Sequence, residues 1–136
     1  MKDLEILALT ENLPQVLEFI DQQLEEYNCP MKILSQIDLA VEEIFVNIAS
    51  YAYNPKVGPA TIRTEVLENP LTVVISFVDN GVQYDPLAKP DPNTTLSADE
   101  RPIGGLGIFL AKKTMDDINY EYKDGQNILT IKKAIS

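Results

Sequence analysis

The feature that most constrains this sequence is one long helical repeat. Between Met31 and about Tyr53, apolar residues recur at spacings of three and four, which predicts an amphipathic helix of about six turns. The apolar positions are Leu34, Ile37, Val41, Ile44, Phe45, Ile48 and Ala52. We therefore expect this helix to form the spine of the domain.

The segments on either side of this helix predict strands that are mostly joined as hairpins. The first strand is expected at 2–9, and the hairpins are expected at 61–78 and 118–133. Asn69-Pro70 and Asp124-Gly125 are strong turn signals at the centres of the two hairpins.

Two further helices complete the predicted set. One begins after Asn12, which we assign as the N-cap, and has Pro14 in its first turn; the other covers Ile108–Met115. Because the strands come as hairpins and not as βαβ units, we expect an α+β fold. It would be a two-layer sandwich, with a mixed, mostly antiparallel sheet covered on one face by about three helices. A chain of 136 residues fits one domain, residues 1–136.

Composition excludes several classes of function. Eleven basic and 21 acidic residues give a net charge of −10, which opposes binding to nucleic acid or to an anionic membrane. The absence of histidine excludes catalysis by a Ser-His-Asp or Cys-His set, and the single Cys29 cannot form an intrachain disulfide. The start of the chain lacks a signal-peptide pattern, so we expect a cytoplasmic protein.

Two polar residues stand one turn apart on the long helix. Glu43 and Asn47 lie about 40° apart around the helix axis, at the border of the apolar stripe. A carboxylate there can accept a proton, and an amide oxygen can join the oxygen shell of Mg²⁺. The same pair of residue types also occurs on solvated helix surfaces.

An acidic residue and a glycine follow the second strand of the first hairpin. Asp79 ends the apolar run 73–78, and Gly81 comes two residues later. The carboxylate can accept a hydrogen bond from the amino group of adenine, while the glycine allows the backbone to approach the ring. Asp-Asn-Gly is equally a strong turn signal, so the segment has a purely structural interpretation as well.

A glycine-rich segment precedes or opens the last predicted helix. Gly104, Gly105 and Gly107 can turn backbone N–H groups toward phosphate at the start of that helix, or can simply make the segment flexible. The segment is not a P-loop, because it lacks Gly-Lys-Ser/Thr. The proline-rich residues 80–104 before the helix are expected to form a lid over a triphosphate. Since the chain is acidic, Mg²⁺ would help a polyanion to bind.

Taken in order, the three segments resemble the Bergerat-fold ATPases, which include gyrase and the histidine kinases. The closest resemblance is to the small bacterial anti-sigma-factor serine kinases, and it covers nearly the whole chain. In this sequence the segments read EIFVNIASYAY from residue 43, DNGVQYDP from 79 and GGLGIFLAKKTMD from 104.

This resemblance implies a role for each matching position. Glu43 corresponds to the catalytic base, Asn47 to the Mg²⁺ ligand, and Asp79 with Gly81 to the adenine-binding pair. The remaining nucleotide-binding candidates are Tyr84, Gly104, Gly105, Leu106, Gly107 and Asn127. Tyr84 stands where phenylalanine is usual, and Gln126-Asn127 replaces a Gly-Thr pair that some relatives place beside adenine.

The function implied is an ATP- and Mg²⁺-dependent serine protein kinase that also acts as an anti-sigma factor. Its substrate would be a small anti-anti-sigma protein of the STAS type, and its other partners would be a sigma factor and a second copy of the chain. The alternative is an ATP-responsive regulatory module that binds partners and has no kinase activity. ATP hydrolysis that drives a conformational cycle is less well supported, because larger relatives couple it to further domains.

Overall fold

The computed structural model describes residues 1–88 and 105–135, and within these residues it contains five strands and three α-helices. The strands are β1 (Lys2–Leu7), β2 (Pro59–Leu67), β3 (Thr72–Asp79), β4 (Asp117–Lys123) and β5 (Gln126–Ala134). The α-helices are α1 (Leu13–Glu26), α2 (Met31–Tyr51) and α3 (Gly105–Thr114). Short 3₁₀ turns cover Thr10–Asn12 and Pro86–Ala88.

The strands form one sheet in the order β1-β2-β3-β5-β4, which confirms the predicted α+β class. Every pairing among the described strands is antiparallel, so the parallel component allowed by the prediction is not seen there. The last strand, β5, lies beside β3 near the centre of the sheet, while β4 forms an edge. This order places Asp79 of β3 directly opposite Asn127 of β5.

The core lies between one face of the sheet and the helices. Alternate residues of β2, β3 and β5 are buried on this face, as period-two patterning requires. The largest fully buried side chains include Phe77, Ile75 and Ile131 from the sheet, and Phe45 and Ile44 from α2. Each such side chain stabilises the fold by about 1.5–3 kcal/mol through removal from water. The long helix is therefore the spine that the sequence predicted.

Several predicted boundaries were wrong by a few residues. β1 ends at Leu7 and α2 ends at Tyr51, each two residues earlier than predicted, and α3 begins at Gly105 instead of Ile108. Asn12 precedes α1, but its amide does not cap the helix; the Nδ2 group donates to the carbonyl of Leu7 at 2.9 Å. The reason is that a 3₁₀ turn leads into α1, so the backbone at Asn12 is already helical.

The predicted lid falls largely outside the described residues, since positions 89–104 are not among them. In the part of the chain that is described, no helix has the length and apolar character needed to cross a membrane.

A pair of aspartates lies between α1 and α2. One oxygen each of Asp21 and Asp38 is shielded from solvent and has no hydrogen-bond donor among the described residues. Burial, a hydrogen bond with Asp21 and the charge of Asp21 raise the pKa of Asp38 to about 8. Burial, followed by the charges of Asp38 and Asp21, also raises the pKa of the Cys29 thiol. Asp38 therefore keeps its proton near neutral pH, in a hydrogen bond with Asp21.

The proton on Asp38 makes stability depend on pH. In the unfolded chain Asp38 loses its proton near the ordinary value, so between about pH 4 and pH 8 the folded state binds the extra proton and wild-type stability falls as pH rises. We expect Asp38→Asn to keep the hydrogen bond to Asp21 without a titrating proton. Its melting temperature should match the wild type near pH 4 and exceed it by about 4 °C at pH 8.

Thermal unfolding followed by circular dichroism across this pH range measures the effect. Asp124→Asn, in the exposed β4–β5 turn, serves as the control for loss of one carboxylate. A constant difference in melting temperature between Asp38→Asn and the wild type from pH 4 to pH 8 would contradict the raised pKa of Asp38.

Candidate functional site

A cavity that is open to solvent lies between the C-terminal half of α2 and the adjoining ends of β3 and β5. Apolar side chains form much of its wall, and they include Ile44, Ile48, Phe77 and Leu129. Among the predicted site residues, those that line it are Asn47, Asp79, Tyr84 and Asn127. A concave, largely apolar site with a few converging polar groups is typical of a small-molecule pocket.

Asp79 is the acidic group at the base of this cavity. It is the last residue of β3, where the inward side of the strand continues the core face, and it is only 5% exposed. Its Oδ1 accepts two hydrogen bonds, from the Gly81 N–H and from the Asn127 Nδ2, both at 2.9 Å. No described residue donates to the other oxygen, Oδ2. The protein thus holds one oxygen of the carboxylate, Oδ1, and the other oxygen, Oδ2, is left to accept a hydrogen bond from a ligand.

Gly81 packs against the end of α2. A Cβ atom at this position would lie 2.2 Å from the carbonyl oxygen of Ala52, so no larger residue fits without movement of the backbone. The next residue, Val82, donates its N–H to the same carbonyl at 3.0 Å. The Asp-Asn-Gly segment is therefore both a turn and a docking contact. The glycine is required by this close approach to α2 and not by a left-handed φ.

Tyr53 anchors the same segment, and the sequence analysis missed it. Its hydroxyl accepts a hydrogen bond from the Asn80 N–H at 2.8 Å and donates to the carbonyl of Pro59 at 2.6 Å. Burial raises the pKa of Tyr53, the Asn80 bond lowers it, and the charge of Asp79 raises it. This tyrosine ties the end of β3 to the start of β2.

Asn127 joins β5 to the segment that follows β3. Its Nδ2 donates to Asp79 Oδ1 at 2.9 Å and to the carbonyl of Val82 at 2.8 Å. Its Oδ1 accepts from the Tyr84 N–H at 3.1 Å and from the hydroxyl of Tyr120. These four bonds use both amide protons and both lone pairs of the side chain. Asn127, which is 6% exposed, therefore holds the cavity wall together from within.

Glu43 and Asn47 lie on α2 as predicted, but only Asn47 is among the residues that line the described part of the cavity. No described residue donates to the Asn47 amide oxygen, so this oxygen is available to a ligand. Glu43 lies one turn earlier and is half-buried. Burial, and then the charge of Glu42, raise the pKa of Glu43, which brings its carboxylate closer to the range useful for a general base.

The predicted glycine-rich segment forms the start of α3. Gly105, Leu106 and Gly107 form the first turn of this helix, which packs against α2, and Gly104 lies outside the described residues. Of the two predicted placements, before the helix or at its start, the structure shows the second for these three positions. N–H groups in a first turn have no partner within their own helix, so they remain suited to an anion.

Aromatic residues at the cavity were only partly predicted. The rings of Tyr51 and Tyr84 lie 6.4 Å apart, and Tyr51 is 43% exposed. Helical spacing could have identified Tyr51, because it follows Asn47 by four residues. Tyr120 also lines the cavity. The two-residue Asp124-Gly125 turn sets a hairpin register in which Tyr120 pairs with Leu129, and this register could have identified Tyr120 as a diagonal neighbour of Asn127.

The sequence matches a known family over almost its whole length. The family described as histidine kinase-like ATPase domain matches residues 6–133. The chain is 33% identical to the serine/threonine-protein kinase BtrW of Bordetella bronchiseptica over 70% of this chain and 66% of that protein. It is 30% identical to the serine-protein kinase RsbW of Bacillus cereus over 73% of this chain and 63% of that protein. The chain thus matches slightly less than two thirds of these relatives' lengths.

Solved structures share the fold at low sequence identity. The blue-light activated histidine kinase of Erythrobacter litoralis superposes with a TM-score of 0.58 and 15% identity, covering 79% of this chain and 32% of that one. The histidine kinase AdeS of Acinetobacter baumannii gives a TM-score of 0.53 and 14% identity, covering 100% of this chain and 70% of that one. With its antiparallel sheet and three helices, this chain belongs to the histidine kinase-like ATPase domain family.

Proposed function

We propose that this chain is an ATP- and Mg²⁺-dependent serine protein kinase that acts as an anti-sigma factor. Its substrate would be a serine on a small anti-anti-sigma protein of the STAS type. The observation that carries the proposal is the buried Asp79 carboxylate, which lines the cavity between α2 and the sheet and whose Oδ2 has no donor among the described residues. The serine-kinase names of the two relatives support the reaction type.

The cavity has the chemistry that an adenine ring requires. Its apolar wall includes Ile48 and Phe77, which suit a flat, weakly polar ring. Asp79 Oδ2 can accept a hydrogen bond from the exocyclic amino group of adenine. A phosphate chain running from this base would favour the first-turn N–H groups of α3, at Gly105 to Gly107.

The residues of α2 also fit a magnesium ion. Mg²⁺ prefers oxygen ligands, and the Asn47 amide oxygen has no donor among the described residues. When bound there, the ion would neutralise part of the charge on the phosphate oxygens. The amide adds no charge of its own, which suits a site that must also hold a triphosphate.

Glu43 is the proposed base for the transfer. Its carboxylate accepts the proton of the serine hydroxyl while the serine oxygen forms a bond to the γ-phosphorus of ATP. The bond between that phosphorus and the bridging oxygen breaks, and ADP is the leaving group. The half-buried position that raises the pKa of Glu43 also makes its carboxylate a better proton acceptor.

A second candidate is an ATP-responsive binding module without kinase activity. The observation that favours it is the position of Glu43, which is not among the residues that line the described part of the cavity. Nucleotide binding in the cavity is therefore better supported than phosphoryl transfer. Under either candidate, a sigma factor and a second copy of this chain are further proposed partners, and the protein would act in the cytoplasm.

One pair of assays on the wild-type protein separates the candidates. We expect calorimetry to show ATP binding with a dissociation constant of about 1–100 μM in the presence of Mg²⁺, and weaker binding with EDTA. We also expect γ-labelled ATP to leave label on a serine of a co-encoded STAS-type protein. Binding without label would favour the regulatory module, and no ATP binding would refute both candidates.

A further inference from the structure

The side chain of Asn127 has no hydrogen-bonding capacity left for a nucleotide. Both amide protons and both lone pairs are used within the protein, by Asp79, Val82, Tyr84 and Tyr120. A direct bond to a bound base would require one of these bonds to break in a side chain that is 6% exposed. Asn127 must therefore affect nucleotide binding through the groups to which it is hydrogen-bonded.

The most consequential of these groups is Asp79. Asn127 is the cross-strand neighbour of Asp79 in the central β3–β5 pair, so its amide is anchored on a rigid element. The two donors to Asp79 Oδ1 come from different parts of the chain: one is Asn127 on β5 and the other is Gly81, just after β3. Because a carboxylate is planar, fixing Oδ1 with two donors also fixes where Oδ2 lies.

A fixed acceptor discriminates between purines. Adenine carries an amino group at position 6, which donates to a carboxylate, whereas guanine carries a carbonyl oxygen there, which accepts. Asp79 Oδ2 would meet that carbonyl oxygen as a second acceptor, so guanine would leave Oδ2 without a donor and bring two acceptors together. A carboxylate that is free to turn could move its oxygen away from this carbonyl and toward the neighbouring N1–H group of guanine, and it would then lose its selectivity.

Asn127 also fixes the backbone that borders the base site. Its bonds to the Val82 carbonyl and the Tyr84 N–H tie residues 82–84 to β5. Val82 and Tyr84 both line the cavity. The Asn127 amide therefore fixes both the position of the Asp79 acceptor and the position of the cavity wall beside it.

We infer that Asn127 is a positioning residue that sets the preference for adenine over guanine by locking the orientation of Asp79. This inference rests on the proposed nucleotide-binding function. It differs from the role that the sequence resemblance implied for Asn127, which was direct contact with the nucleotide.

Asn127→Leu tests the inference, because leucine has nearly the same size and no polar atoms. We expect the wild type to bind ATP at least about 100-fold more tightly than GTP. In the variant, ATP affinity should fall about 30-fold while GTP affinity changes less than about threefold, so the ratio of the two collapses. Calorimetry with each nucleotide and Mg²⁺ measures both constants.

Gln126→Leu is the matched control. The wild-type Gln126 Nε2 donates to Asn80 Oδ1 at 3.0 Å, so Gln126 also links β5 to the segment after β3, but it makes no hydrogen bond to Asp79. We expect it to leave the ATP-to-GTP ratio at the wild-type value. A loss of selectivity in this control equal to that in Asn127→Leu would overturn the inference.

Tyr120→Phe provides a gentler variant should Asn127→Leu fail to fold. It removes one of the four bonds to Asn127 and should lower the ATP-to-GTP ratio about threefold to tenfold. Equal losses for both nucleotides, or an unchanged ratio in the folded variants, would overturn the inference while the proposed function stands. A wild-type protein that binds neither nucleotide would refute the proposed function, and this inference with it.

Discussion

Replacing Asp79 with asparagine is expected to reduce the affinity for ATP at least about 100-fold, which corresponds to about 2.7 kcal/mol. The substitution keeps the size of the side chain but removes the charge and changes one oxygen into an NH₂ group. A hydrogen bond to a charged acceptor contributes about 1.5–3 kcal/mol, and a mismatched buried donor adds a further penalty. Because Asp79 is only 5% exposed, water can compensate for little of the loss.

Calorimetric titration with ATP and Mg²⁺ measures this effect, and circular dichroism establishes that the variant is folded. Asp117→Asn, at the exposed start of the edge strand β4, controls for the change in net charge. Tight ATP binding by a folded Asp79→Asn protein would show that the base does not use this carboxylate. In that case the cavity between α2 and the sheet would not be the adenine site.

Glu43→Gln is expected to lower the rate of phosphoryl transfer by about 10²–10⁴-fold, the range typical for loss of a general base. Glutamine keeps the shape of the side chain but cannot accept the serine proton. Affinity for ATP should remain within about threefold of the wild type, because Glu43 does not line the described part of the cavity. Single-turnover transfer from labelled ATP to the STAS-type substrate measures the chemical step.

Glu42→Gln is the matched control for this experiment, since Glu42 is the adjacent, exposed residue on α2. Burial and the charge of Glu42 both raise the pKa of Glu43, so removing Glu42 should lower that pKa. The wild-type rate should fall as pH drops through the pKa of Glu43, and Glu42→Gln should move this acid limb to lower pH. Undiminished transfer by Glu43→Gln would refute the assignment of the base.

Local sequence patterns predicted most of the fold. The helical period placed α2 correctly to within two residues, and the Asp124-Gly125 turn correctly predicted the β4–β5 hairpin. These features depend on neighbouring residues, so the sequence carries them directly. The predicted cap at Asn12 was wrong because a 3₁₀ turn leads into α1. The predicted start of α3 was wrong because the helix already begins at Gly105.

The candidate site was predicted less completely. The motif positions Asn47, Asp79, Tyr84 and Asn127 do meet at one cavity, although their roles in binding stay predictions. The sequence did not predict the hydrogen bonds that hold the surrounding backbone in place, including those of the Tyr53 hydroxyl. A tyrosine hydroxyl that links two distant backbone segments leaves no local signal in the sequence.

By itself, the sequence determined the elements, their turns and the residue types that suit a nucleotide site, because these follow from spacing along the chain. Only the tertiary structure decided that β5 pairs with β3, so that Asn127 stands opposite Asp79. It also decided that Gly81 must contact the end of α2. Such contacts join residues far apart in the chain, and they are set by how the sheet and helices pack together as a whole.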